Sequence, residues 1–281
     1  MTNTSEPDRT TATRATAATT TTLPMLAGKR LLITGVVNTD SIAHATASAA
    51  IRAGAEIVLS SLGRDLDLTR ETATTLGPDV DVIEADLTEP DDVASLATGL
   101  ARRWEHLDGV LHAVAFAPRE ALSESFLDAT IDPVSRAFHT SVHTYASLAR
   151  MLRDLAPAAG GSLVGLDFDA SKAWPVYNWM GVCKSALESA NRYAARDLGK
   201  RAIRSNLIAA GPLHTRAAGA IGSFERLLDA WEHQSPMRWD PHDAEPVADT
   251  AVFLLSDLSR MITGEILHVD GGFHAMAAHL D

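Results

Sequence analysis

The sequence predicts an α/β fold in one domain, a doubly wound parallel sheet with helices on both faces. Three observations carry this expectation. From Lys29 onward, short apolar runs alternate with amphipathic segments of helix length. The runs are continuously apolar where half-exposed strands would alternate, as expected of strands buried on both faces. No internal repeat or second linker divides residues 25–281. Strand-then-helix order repeated in this way brings right-handed crossovers and two helical layers.

The strands are read in order as RLLIT, AEIVLSS, DVDVIEAD, LDGVLHAVA, GSLVGLD, IRSNLIAAG and GEILHVDGG. Helices are expected at about 41–53, 65–76, 90–104, 132–157 and 176–199, with another beginning near Phe224. Several end on helix-stopping residues, among them Gly54, Gly77-Pro78 and Gly160-Gly161. Residues 1–24 are dominated by Thr and Ala and cannot repay the entropy of ordering, so they read as a mobile tail. A transit peptide is the weaker alternative. Arg9 and Arg14 suit it, whereas Glu6 and Asp8 do not.

Composition narrows the function classes. The chain has 281 residues, 46% hydrophobic and 21% charged, enough for a full-sized core. Its 36 acidic against 24 basic residues give a net charge of −12, which argues against nucleic acid or an anionic membrane as partner. A single cysteine, Cys183, offers neither an intramolecular disulfide nor a thiolate cluster, and fits a reducing cytoplasm. No segment approaches the roughly 20 apolar residues of a membrane helix. A soluble cytoplasmic protein whose partner is a small molecule or a protein is expected.

The first strand runs through Gly35 into a helix opening at Ser41 and Ile42. A strand–loop–helix entry of this kind can hold a pyrophosphate on backbone amides and the positive helix end, with Ser41 as N-cap and phosphate donor. The usual glycine fingerprint is absent, and an ordinary βα turn reads equally well. No acidic residue ends the second strand, and Arg64 is flanked by Asp65 and Asp67, which tilts the choice toward NADH over NADPH. Asp86 and Leu87 follow the third strand, where Asp86 is either a solvated loop acid or an acceptor for an adenine amino group.

Tyr177 and Lys184 stand seven apart, two helical turns, which places them near one face. A lysine there lowers the cost of negative charge on the phenol and can reach a cofactor ribose. A buried aromatic above an exposed lysine is the plain alternative. His139 and His143 have a spacing that can hold zinc but lack an accompanying carboxylate signature, so no metal is expected. Cys183 reads as a packed thiol. Trp174, Trp179 and Trp231 suit an acyl pocket and plain packing equally.

Taken together, these residues resemble the Rossmann-type short-chain dehydrogenase/reductases, and within them the NADH-dependent enoyl-acyl-carrier-protein reductases. The resemblance spans roughly residues 26–277. It rests on Gly35 with Ser41-Ile42-Ala43, Asp86-Leu87, 112–118 (HAVAFAP), Tyr177 with Lys184, 211–215 (GPLHT) and 264–272 (GEILHVDGG). Met180 stands where the wider superfamily has its tyrosine, and Asp167 about where it has its catalytic serine. Ordinary alcohol–ketone chemistry is therefore disfavoured.

The resemblance implies hydride transfer from NADH to C3 of a trans-2-enoyl thioester carried by acyl carrier protein or CoA. It implies that Tyr177 hydrogen-bonds the thioester oxygen and Lys184 holds the nicotinamide ribose. Leu213 and Thr215 would hold the carboxamide, Val114 would line the nicotinamide, and Ala117, Phe168 and Met180 would line the substrate pocket. Phe168 looks like the branch that accepts very long acyl chains, whereas the short 212–231 loop looks like the commoner branch. Ala113 and Ala115 replace the usual Ser and Gly beside the nicotinamide. A homotetramer is implied, with Leu148, Met151, Leu187 and Tyr193 expected to supply surplus apolar surface. A dinucleotide-binding sensor without turnover is the competing class of function, and a reductase of a specialised pathway is a second alternative.

Overall fold

The computed structural model describes residues 24–122, 125–175, 177–216, 218–220 and 224–277. Most of the expected tail lies outside the described residues. Seven strands form one parallel sheet: β1 (Arg30–Thr34), β2 (Glu56–Ser61), β3 (Asp81–Glu84), β4 (Gly109–His112), β5 (Gly161–Asp167), β6 (Ile203–Ala210) and β7 (Ile266–Val269). Their order across the sheet is β3-β2-β1-β4-β5-β6-β7. The chain thus winds outward from β1 in one direction, then returns and winds the other way. The reversal opens a crevice at the carboxyl ends of β1 and β4, where ligands bind in sheets of this kind.

Strand alternation divides the core into two layers. Leu31 and Ile33 of β1 face α1 (Ile42–Arg52) and α8 (Glu245–Leu255). Leu32, between them, faces the layer of α3 (Pro90–Arg103), α5 (Thr144–Leu155) and α6 (Asn178–Leu198). The remaining helices are α2 (Leu66–Thr74), α4 (Ile131–Phe138) and α7 (Phe224–Gln234). Val58, Val110 and Leu163 are each fully buried. Burial of such a side chain stabilises by about 1.5–3 kcal/mol, which explains the uninterrupted apolar character of the strands.

Three details depart from the sequence reading. The helix expected over 132–157 is broken into α4 and α5 by a wide π-type turn at His139–His143. The helix expected from 176 begins at Asn178, whose φ of 40° is left-handed, so Tyr177 occupies the cap position before the helix. The sequence reading placed no helix at Glu245–Leu255, yet α8 is there, packed on α1. Buried Val247, Ala248, Ala251, Val252, Leu254 and Leu255 share one side of it, a helical spacing that the sequence carries and the sequence reading passed over.

Leu148, Met151 and Leu187 also differ from expectation. All three lie inside the core beneath the sheet, and of the four residues expected to offer surplus apolar surface only Tyr193 is exposed. No described helix is long and apolar enough to cross a membrane.

Candidate active site

At the carboxyl end of β1 the chain must turn sharply beneath β4. Gly35 does so with φ 82°, and a Cβ at this position would lie 2.1 Å from the Ala113 carbonyl oxygen. Only glycine satisfies both demands. Thr34 fixes the same junction: its hydroxyl donates to the Leu111 carbonyl at 2.9 Å and accepts from the Ala113 amide at 3.1 Å. The chain then enters α1 through Ser41, whose Oγ accepts from the His44 amide at 3.1 Å and donates to the Asn38 carbonyl at 3.0 Å. The Ser41 hydroxyl proton is thereby engaged within the loop. The amides of the first turn, which carries no acidic residue, supply the positive end for an anion.

A cavity of about 550 Å³ opens beside this helix start. Asn38 and Asp40 line one wall, His214, Thr215, Arg216 and Gly219 the other, and Phe224 and Glu225 of α7 lie at its rim. Thr215 accepts from the Ala218 amide through Oγ1, and Leu213 is buried behind it. Ile42 and Val114 are half-buried against the two core layers. Farther along the sheet edge, Asp86 accepts from the Thr88 amide and hydroxyl through Oδ1, beside buried Leu87. Arg64 donates to Asp65 at 3.3 Å, and Arg216 reaches the same carboxylate at 3.4 Å. A ribose phosphate near Arg64 would thus meet the negative charge of Asp65 as well.

The second cluster forms at the ends of β4 and β5, under α5 and α6. Lys184 is buried, and its ammonium donates to the Leu166 carbonyl at 2.8 Å. The alternative of an exposed lysine is thus removed. Burial lowers its proton affinity, while Asp167 acts to raise it. Asp167 is 5% exposed, and neither carboxyl oxygen has a hydrogen-bond partner among the described residues. Burial pushes its carboxyl up to about 7, against the opposing pull of Lys184. His112 is buried as well, its Nε2 within 2.8 Å of the Thr144 hydroxyl, and burial followed by Lys184 drives its imidazole down to about 3.

Tyr177 is buried at the mouth of this cluster. Removal from water raises its phenol well above the ordinary range, and the negative charge of Asp167 adds to the effect. Met180 and Cys183 pack with it, as do Ala117 and Phe168. The Cys183 thiol, pushed up to about 11 by burial, is a packing group. Phe168 links Tyr177 to a stack of larger rings: its centroid is 5.2 Å from Tyr177, 5.3 Å from Trp174 and 5.7 Å from Trp231. Trp231 in turn stacks on Phe273 at 3.7 Å. Trp179 belongs elsewhere, stacked on Phe126 and donating to its carbonyl.

The structure therefore packs Tyr177, Met180, Ala117 and Phe168 in one apolar cluster, with Lys184 buried farther along α6, and sets Thr215 in the wall of the cavity beside the helix that Ser41 caps and Gly35 leads into. Asp86 and Leu87 lie apart, beyond β3. Sequence reasoning did not single out Asn38, His214 and Arg216 as cavity walls. It treated Asp167 as a departure from a pattern, and it did not connect His112 with Lys184. The signal for these two was their position as the last residues of apolar strands, where a polar side chain stands at the crevice. Among the described residues, no group of three or more His, Cys, Asp or Glu side chains is arranged to hold a metal ion. His139 and His143 stack edge to face within the π-type turn.

Comparison with known proteins agrees with this architecture. A family profile described as "Enoyl-(Acyl carrier protein) reductase" matches residues 35–274. A relative from Mycolicibacterium smegmatis, "Enoyl-[acyl-carrier-protein] reductase [NADH]", is 39% identical over 262 residues, covering 88% of this chain and 97% of that protein. A relative from Aquifex aeolicus with the same activity in its name is 39% identical over 254 residues, covering 90% and 93%. The crystal structure of the Anaplasma phagocytophilum enoyl-(acyl-carrier-protein) reductase in complex with NAD superposes with a TM-score of 0.86 at 35% identity, covering 92% of this chain and 98% of that one. With its doubly wound sheet, its buried Tyr177 and Lys184 and a profile match across most of its length, the chain belongs to the enoyl-(acyl carrier protein) reductase family.

Proposed function

We propose that this protein reduces the trans-2 double bond of an enoyl thioester with NADH, in fatty-acid or related acyl biosynthesis. The observation that carries this reading is the burial of Tyr177 and Lys184, Tyr177 within an apolar cluster, in a fold whose helix α1 carries no acidic residue in its first turn. The residues fit the dinucleotide. Gly35, Ser41 and Ile42 would hold its pyrophosphate through the α1 amides, and Asp86 and Leu87 its adenine. Leu213 and Thr215 would hold the carboxamide, with Val114 against the nicotinamide ring. Lys184 uses one N–H on Leu166 and has two more for the ribose hydroxyls.

NADH, when bound, supplies a hydride to the substrate. The chain's own part is to receive the negative charge that then develops on the thioester oxygen. Tyr177 donates a hydrogen bond to that oxygen. In a pocket closed to water, such a preorganised donor lowers the barrier by about 3–4 kcal/mol. Ala117, Phe168 and Met180 exclude water around the acyl group.

We place the protein in the cytoplasm, with acyl carrier protein or CoA presenting the substrate. We expect a homotetramer with two-fold axes. Exposed Leu127, Ile131 and Phe138, along α4 and the turn before it, support self-association better than the buried residues first considered. The test of the reaction is oxidation of NADH by the purified protein in the presence of crotonyl and longer enoyl thioesters. Binding of NADH without turnover on any chain length would leave the dinucleotide site and remove the reductase.

A further inference from the structure

In doubly wound dinucleotide folds an acidic side chain at the end of the second strand clasps the adenosine ribose, and its charge keeps out a 2′-phosphate. Here β2 ends in Ser60-Ser61 and runs through Leu62 into Gly63, so the strand end itself supplies no acid. The neighbouring strand does. Glu84 ends β3 as the register partner of Ser61, and the Ala85 amide donates to the Ser61 carbonyl at 2.8 Å, which ties the two strand ends together. Across this step the Glu84 side chain lies over Gly63. A Cβ added at Gly63 would collide with Glu84 Oε1 and stand 3.3 Å from the carboxyl carbon. The carboxyl group therefore fills the space that a side chain at position 63 would take, and glycine is what lets it do so.

Of the acids at this corner, Glu84 has the charge that remains for a ligand. Asp65 is shared by Arg64 at 3.3 Å and Arg216 at 3.4 Å, and Asp67 lies 3.6 Å from Arg70. Asp86 accepts from the Thr88 amide and hydroxyl. Among the described residues no hydrogen bond or ion pair engages the Glu84 carboxyl, and the residue is exposed at the carboxyl edge of the sheet. It stands two positions before Asp86, the residue assigned to the adenine, so one strand end faces both the base and its sugar.

Resting on the NADH reading above, we infer that Glu84 is the residue that selects NADH over NADPH, its carboxylate accepting from the adenosine ribose hydroxyls and repelling a 2′-phosphate. The two carboxylate oxygens match two vicinal hydroxyl donors. A phosphate on the 2′-oxygen removes one donor and sets negative charge against negative charge, so discrimination comes from a lost bond and an added repulsion together.

Glu84→Gln keeps the shape and removes the charge, and Glu84→Lys reverses it. Dissociation constants of NADH and NADPH are read by fluorescence titration of the free enzyme, without acyl substrate. The wild type should bind NADPH at least about tenfold more weakly than NADH. E84Q should cut this preference by about tenfold, chiefly by tightening NADPH, and E84K should bring NADPH to parity or beyond. An E84Q protein with the wild-type ratio of the two constants overturns the assignment. A wild type that binds both dinucleotides equally overturns it as well, and that measurement needs no variant to fold. Turnover is read apart from these constants: failure to oxidise NADH with any enoyl thioester removes the reductase reading and leaves the binding preference, and Glu84 as its source, in place.

Discussion

The roles proposed for Tyr177 and Lys184 differ in when they act, and substitutions separate them. The phenol of Tyr177 meets charge that exists only as the reaction proceeds, so Tyr177→Phe should keep NADH affinity and lose about 10²–10³ in kcat. A phenylalanine variant with full turnover would remove Tyr177 from the chemistry. Lys184 is assigned to the ground-state cofactor, and Lys184→Ala should weaken NADH binding itself, read by fluorescence titration of the free enzyme. Two other buried groups make stability depend on pH in opposite senses. Asp167 is raised from 3.8 to about 7, so the folded state holds a proton that the unfolded chain releases; the stability it contributes is present below 3.8 and lost as pH rises through 7. His112 is lowered from 6.5 to about 3, so its contribution is present above 6.5 and lost as pH falls toward 3. Denaturant titrations should show the stability of D167N relative to wild type growing between pH 4 and 7 and levelling above. A constant difference across that range would mean that Asp167 is ionised in the folded protein.

Among the elements, α6 and the segment joining β6 to α7 govern what the pocket can hold. Phe168, which packs on Tyr177, joins Trp174, Trp231 and Phe273 ring against ring, so this side of the proposed substrate pocket is filled by the protein's own side chains. The segment after Thr215 reaches α7 at Phe224 with little chain to wall a long tunnel; of this segment, Ala217, Ile221, Gly222 and Ser223 lie outside the described residues. Each methylene buried adds about 0.8 kcal/mol until the groove is full. A kcat/KM series over enoyl chain lengths should therefore rise through short to ordinary fatty-acyl lengths and then level. A continued climb into very long chains would contradict this and favour the branch that Phe168 resembles. The elements also differ in how openly the sequence announced them. Runs such as LLI in β1 and IVL in β2 were readable because burial on both faces leaves an unbroken apolar run. Helix α8 carried a helical period as well, with Val247, Ala248, Ala251, Val252 and Leu255 on one side, and was overlooked. The break at His139–His143 leaves no local mark, as neither glycine nor proline stands there.

On the scale of the molecule, the order of elements sufficed for the sheet, because right-handed crossovers leave few ways to connect seven parallel strands. The site was less legible. Tyr177 and Lys184 stood out through a spacing, but Asp167 and His112 gain their character only from what the fold stacks over them, a long-range effect that no local window contains. Leu148, Met151 and Leu187 were misplaced for the same reason: they look surplus on a helix and are core beneath the sheet. Sedimentation at micromolar concentration should give a tetramer, and a monomer would leave exposed Ile131 and Leu127 without a role. The packing of α8 on α1 has a further consequence, for synthesis. Ala43, Ala47 and Ala50 of α1 are covered by residues from Val247 onward, about two hundred positions later in the chain. A ribosome that has made every strand through β6 still carries an uncapped sheet face, with its small-residue helix bare to solvent. Nascent chains arrested before Glu245 should thus be cut readily by protease and held by chaperones, and resistance should appear only once Leu255 has cleared the exit tunnel.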